Sequence, residues 1–194
     1  MLNLSSGSGS GNYIRFSPQA NAWTNNNNEE IQLKKVVFDI DNIKTGWLLL
    51  GVGVRDWVQD ESVGKKGPQP SPEHRRGFDI TLYNKEIGAA AFSSNGVGNN
   101  IMLETMYKAC IAERAANPGK LPILEYQGSK AEKIGKGTTR IPQFKLTGWV
   151  ARPAGLDAVA EEFEAEPAPP PVAAQPVRKA APKPVEVVED DEIF

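Results

Sequence analysis

Trp47-Leu48-Leu49-Leu50-Gly51-Val52-Gly53-Val54-Arg55-Asp56-Trp57-Val58 is the stretch on which the reading of the fold turns. Its aliphatic and aromatic residues describe an extended segment that alternates in character. Taken as one strand, its even positions Leu48, Leu50, Val52, Val54 and Val58 are apolar and form a core face. The odd positions Trp47, Leu49, Gly51, Gly53, Arg55 and Trp57 form the other. Glycines inside a strand mark a sharp bend or a close backbone approach. Two glycines between tryptophans and an arginine suit a coiled sheet face on which a ligand lies. Trp47 and Trp57 read equally as ligand-stacking groups or as packing at the end of a barrel.

Working outward, Leu33 to Asp41 is a strand with Val36, Phe38 and Ile40 on one face, and Asn42 to Gly46 is a turn. Gln59 to Gly77 is a long polar loop carrying Lys65, Lys66, Arg75 and Arg76, and loops of that length are usually functional. The only histidine, His74, has no companions for metal or acid–base chemistry and reads as a surface residue. Phe78 to Asn84 is the third strand, with Phe78, Ile80 and Leu82 inward and Asp79, Thr81 and Tyr83 outward. A short extended piece follows near Phe92. The spacing of Ile101, Met102, Met106, Ala109 and Cys110 predicts a helix over Val97 to Asn117, ended by Asn117-Pro118-Gly119. Leu121 to Tyr126 and Ile141 to Ala151 are the fourth and fifth strands. The connection between them, Gln127 to Arg140, holds Lys130, Lys133, Lys136 and Arg140 against Glu132 alone. On the N-terminal side, Tyr13 to Thr24 suggests two short extended pieces around a turn, Asn25 to Asn28 a loop, and residues 1–11 a flexible Gly/Ser arm.

Composition bounds the function. The 194-residue chain has one cysteine, which excludes an intramolecular disulfide. The segment from Met1 lacks the basic and apolar regions of a signal peptide, and no apolar run approaches the roughly 18 residues of a membrane span. A soluble cytoplasmic protein is expected. The net charge of −2 conceals a split, because residues 1–160 hold 19 Lys/Arg against 15 Asp/Glu and residues 161–194 hold 3 against 9. A basic body with an acidic tail fits a nucleic-acid binder whose tail faces proteins. From Pro153 to residue 188 the chain becomes a Pro/Ala-rich linker with little to bury. It ends in Glu189-Asp190-Asp191-Glu192-Ile193-Phe194, an acidic peptide with an apolar anchor that suits a basic-rimmed pocket on a partner.

That tip resembles the acidic C-terminal tip of bacterial and phage single-stranded DNA-binding proteins, with Ile193 where the family usually has proline. The order strand, strand, strand, helix, strand, strand is similar to the five-stranded oligonucleotide-binding (OB) barrel of the same family, with the helix between the third and fourth strands. The resemblance covers residues 12–152 by element order and the last six residues by motif, and it is closer to a divergent phage-encoded type. It implies binding of single-stranded DNA with little sequence preference, protection of that DNA in replication, recombination or repair, and recruitment of partner enzymes by Asp190, Asp191, Glu192, Ile193 and Phe194. It places the protein in a phage-infected or prophage-carrying bacterium. Trp47, Arg55, Trp57 and Tyr83 would present an aromatic and cationic face, with Lys65, Lys66, Arg75, Arg76, Lys130, Lys133, Lys136 and Arg140 tracking phosphates. No cofactor, metal or catalytic residue is expected, and a homo-oligomer is open. The competing readings are an interaction or scaffold module with an OB-like barrel, and a mediator that anneals complementary strands.

Overall fold

The computed structural model describes residues 12–51 and 54–156. The expected flexible arm, most of the linker and the C-terminal tip lie outside the described residues. The described chain is mostly antiparallel β-structure with one long helix. Strands β1 (Arg15–Ser17), β2 (Ala22–Thr24) and β3 (Glu30–Ile31) make a small sheet. The pieces around the Ser17–Asn21 turn thus form as anticipated, paired Arg15 to Thr24.

The large sheet contains β4 (Lys35–Phe38), β5 (Lys44–Gly51), β6 (Val54–Gln59), β7 (Arg75–Asn84), β8 (Gly88–Ser94), β9 (Lys120–Ile134) and β10 (Gly137–Ala151). β4 and β5 run along the same edge of β7, pairing through Val37 with Tyr83 and then Lys44 with Asp79. They are two halves of one bent strand, broken by a 3-10 turn at Ile40–Asn42. Taking that bent strand as first, β7 as second, β8 as third, β9 as fourth and β10 as fifth, the spatial order is 5-4-1-2-3. Four antiparallel strands in the order 4-1-2-3 are a Greek key. The return from third to fourth strand is made by α1 (Val97–Arg114), which lies against β10.

This large sheet has seven strands and no pairing between β8 and β10, so it does not close into the five-stranded barrel anticipated from element order. The small N-terminal sheet occupies the gap. Asn12 and Ile14 bond along the β8 edge through Ala91, at 2.8 and 2.9 Å. Trp23 stands edge-on to Phe92 of β8 at 5.0 Å and to Phe144 of β10 at 6.0 Å, and also touches Phe16 and Tyr126. An aromatic cluster therefore joins the two unpaired edges, and each such ring pair adds about 0.5–1.5 kcal/mol beyond its buried area.

The core follows the alternation of β4 and β7. Val36, Phe38 and Ile40 are buried, as are Phe78, Ile80 and Leu82. On α1 the buried stripe is Met102, Leu103, Met106 and Cys110, whereas Ala109 is exposed. Burial pushes the Cys110 thiol up to about 12, so it stays protonated and behaves as a small apolar side chain. Asp39, between the core residues Phe38 and Ile40, is buried in a two-pronged ion pair with Arg152 at 2.8 and 3.0 Å. Leu156 packs into the core, within the segment whose composition suggests linker.

The largest correction concerns the opening stretch. Residues 47–58 form a hairpin and not one strand, with Gly51 paired to Val54. In this register residues of opposite parity pair, so alternation inverts between the two strands. Trp47 pairs with Val58 and Leu48 with Trp57, which puts the two tryptophans on opposite faces. Of the even positions assigned to the core, Leu48 is buried and Leu50, Val54 and Val58 are exposed. A second correction concerns residues 127–140, which are not a loop. They are the outer halves of β9 and β10, paired from Ser129–Pro142 to Ile134–Gly137 as a two-stranded ribbon.

Candidate nucleic-acid interface

The long connection between β6 and β7 is held down by one carboxylate. Asp60 is buried and accepts four hydrogen bonds, from Arg76 Nη1 at 2.9 Å, Arg76 Nη2 at 2.6 Å, Thr45 Oγ1 at 2.7 Å and the Gly67 N–H at 3.0 Å. The guanidinium and the other donors hold its carboxyl well below the usual carboxylate range, against the opposing effect of burial. Trp47 lies beside this pair. Its indole N–H donates to the Gly67 carbonyl at 2.9 Å, and Arg76 Cζ and Lys66 Nζ sit 5.2 and 4.9 Å from its ring centre. Trp47 is buried, so it offers no face to a ligand.

His74 belongs to the same device. It is buried and not a surface residue, with Nδ1 2.8 Å from Ser71 Oγ and Nε2 3.1 Å from Asp56 Oδ2, while its carbonyl accepts from Gln69. Trp47, Arg76 and His74 thus fix the connection to the hairpin. Of the four residues expected on one aromatic and cationic face, the structure removes Trp47 to the inner side. Tyr83 is half-buried on β7, its ring against Gly155.

What remains is a different grouping. Leu48 pairs with Trp57 on one side and Arg75 on the other, so the three share one rung and one face. Arg55 stands two residues before Trp57 on that face and reaches over the sheet, donating to Ser93 Oγ at 2.9 Å with Asp79 at 3.7 Å. The half-buried Trp57 ring lies over Gly46, where any side chain would collide with it and with the Val58 carbonyl. Burial raises the Asp79 carboxyl above the usual range, with Arg55 and Lys44 opposing. Trp57, Arg55 and Arg75 therefore form a solvent-facing platform, and Asp79 sets a negative charge at its rim.

Comparison with protein-family models, curated proteins and solved structures gives no match.

The second cationic element is the β9–β10 ribbon. Lys133 and Arg140 lie on one of its faces, because Lys133 pairs with Thr138 and Arg140 with Ala131. Lys130 and Glu132 lie on the other, toward α1, and Lys136 occupies the tip. Lys130 is 4.0 Å from Glu132, and Arg140 donates weakly to Ser129 Oγ at 3.4 Å. Lys65 is engaged by Glu61 four residues before it in sequence. Lys66 and Arg75 are exposed. Among the described residues there is no cluster of three or more His, Cys, Asp or Glu suited to a metal, and no helix is long and apolar enough to cross a membrane.

Sequence reasoning missed the Asp60 staple and the buried role of His74. Asp60 and Arg76 are 16 residues apart and bring no periodic signal, so only the return of the chain to β7 reveals them.

Proposed function

We propose that this protein binds single-stranded DNA through an OB-like Greek key, using the platform of Trp57, Arg55 and Arg75 together with the basic β9–β10 ribbon. The observation that carries this reading is the shared rung of Trp57 and Arg75 beside Arg55 on a solvent-facing side of the sheet. The topology supports it. OB-folds are partly open Greek-key barrels that bind oligonucleotides with the face of strands two and three and with the loops joining strands one–two and four–five. In this chain the one–two connection supplies Arg55, Trp57 and Lys66, Arg75 opens the second strand beside them, and the four–five connection is the ribbon with Lys130, Lys133, Lys136 and Arg140. The β7–β8 face itself bears Asp79, Thr81 and Ser93, so the aromatic load rests on the hairpin inserted after the first strand.

The mechanism is stacking plus counterion release. An indole stacks on any base, at about 1–3 kcal/mol, which gives affinity without sequence preference. If Arg55, Lys66, Arg75, Lys130, Lys133, Lys136 and Arg140 all reach phosphates, log affinity falls with log salt with a slope of about −5 for a single strand. The acidic tip, Asp190 to Phe194, recruits replication or recombination proteins in this reading.

The test is fluorescence anisotropy of labelled poly-dT at two salt concentrations, beside a duplex and a chain ending at Glu166. Tight, salt-sensitive binding that ignores duplex supports the reading. Absence of binding at low salt overturns it and leaves an interaction module. Complementary strands mixed in the same assay tell coating from annealing.

A further inference from the structure

β6 has one partner. It pairs with β5, and among the described residues its outer edge carries no strand. The hydrogen-bonding pattern says which groups face outward. The Asp60 N–H donates to the Thr45 carbonyl at 2.8 Å, so Thr45–Asp60 is a hydrogen-bonded pair of the β5–β6 ladder. Antiparallel ladders alternate, which makes Trp47–Val58, Leu49–Asp56 and Gly51–Val54 hydrogen-bonded in turn. Arg55, Trp57 and Gln59 then direct their main-chain N–H and C=O groups to the free edge.

Proteins normally protect such an edge with proline, a bulge, an inward charge or a covering loop. β6 has neither proline nor bulge, and its two charged side chains are engaged within the chain, Arg55 by Ser93 and Asp79 and Asp56 by His74. Its surroundings are apolar as well. Leu50 (51%), Val54 (51%), Val58 (40%) and Val63 (46%) are four of the seven exposed large apolar side chains among the described residues. An open edge flanked by exposed aliphatics is a pairing site.

The sequence of the edge selects the occupant. Val54-Arg55-Asp56-Trp57-Val58 is nearly symmetric about Asp56 in side-chain type at its ends. Two copies related by a two-fold axis normal to the sheet keep the same face, so only residues of equal parity can pair. Centred on Asp56, the register sets Val54 against Val58 twice and Arg55 against Trp57 twice. The Arg55–Trp57 pairs are the outward-directed ones and exchange the main-chain bonds. At the centre Asp56 meets its copy, and in each copy His74 Nε2 lies 3.1 Å from Asp56 Oδ2. An isologous interface needs this kind of self-complementarity.

We propose that two copies of this chain associate through antiparallel pairing of β6, centred on Asp56, so that one sheet runs through the dimer. The inference stands on the strand edge and holds whether or not the chain binds DNA. It also sets the two Trp57 platforms on the same side of the joined sheet.

Sedimentation of the full chain, together with oxidation of variants carrying one added cysteine, tests it. The wild type is expected to dimerise reversibly. Val58→Lys, at an exposed position, should weaken association at least tenfold with an unchanged circular dichroism spectrum. Asp56→Cys should cross-link to itself, because residues on the axis in a pair without hydrogen bonds approach to about 4.5 Å between Cα atoms, whereas Gln59→Cys should not. Cys110 is buried and stays out of the reaction. A wild type that remains monomeric at about 100 μM, or a dimer that survives Val58→Lys and fails to cross-link at 56, overturns the proposal. Should Asp56→Cys disturb the loop by losing His74, the sedimentation of Val58→Lys decides alone.

Discussion

Replacing Asp60 by alanine measures how firmly the connection between β6 and β7 is tied to the sheet. The substitution removes the acceptor of four hydrogen bonds and leaves the Arg76 guanidinium without its carboxylate. Breaking a buried ion pair from one side costs about 3–5 kcal/mol. Arg76 retains 31% of its side-chain exposure, so water rehydrates part of the stranded charge and the expectation falls to about 3 kcal/mol. In urea, with a slope of about 2 kcal/mol per molar, the midpoint should drop by about 1.5 M. Asp60→Asn keeps the shape and loses the charge, and should fall between alanine and wild type. The acid limb follows with a definite sign. The folded carboxyl titrates below its unfolded value, so its stabilisation is complete above about pH 4. It is lost as pH falls further, while the unfolded chain takes the proton first. A loss under about 1 kcal/mol for Asp60→Ala, or an acid limb identical to wild type, would refute the staple and return Arg76 to the list of candidate DNA contacts.

The neighbouring arginines should behave oppositely. Arg76→Ala should destabilise the fold by about 3 kcal/mol while leaving the salt slope of DNA binding unchanged, whereas Arg75→Ala should hold stability within about 0.5 kcal/mol and reduce that slope by about 0.7. Trp57→Ala should weaken poly-dT binding by about 1–3 kcal/mol in anisotropy, roughly 5- to 150-fold, at both salt concentrations, since stacking is not ionic. Asp79→Asn removes a carboxylate that burial already disfavours in its charged form. Because the folded group titrates above its unfolded value, the variant should be more stable than wild type at neutral pH, with the advantage vanishing as pH falls below the folded value. It should also tighten DNA binding by freeing Arg55, and weaker binding would show that Asp79 orients that arginine.

Where one face is buried and the other wet, alternation in the sequence translates directly into structure. Val36, Phe38, Phe78, Ile80 and Leu82 sit where their spacing puts them. The same rule misleads at 47–58, because an apolar run that reads as one strand is two antiparallel strands, Gly51 pairing with Val54, and residues of opposite parity face each other across them. It is silent at 127–140, where the ribbon has polar residues on both faces and resembles a loop in composition. The candidate cations were legible as residue types, but their grouping was not. Whether an arginine faces solvent or a carboxylate depended on Asp60, Asp79 and the path of a long connection, none of which periodicity encodes.

The buried pair of Asp39 and Arg152 has a mechanical meaning. Arg152 follows the last strand directly and grips the break in the bent first strand, at 2.8 and 3.0 Å. Leu156 is sunk in the core beyond it, and Gly155 abuts the Tyr83 ring. Tension applied to the chain after residue 156 therefore enters the fold across a doubly bonded clamp and a buried plug at the middle of the sheet. It does not pass through the ribbon or the Trp57 hairpin. Load on the C-terminal segment is therefore borne by the Asp39–Arg152 clamp and Leu156, and the ribbon and the Trp57 hairpin are spared it.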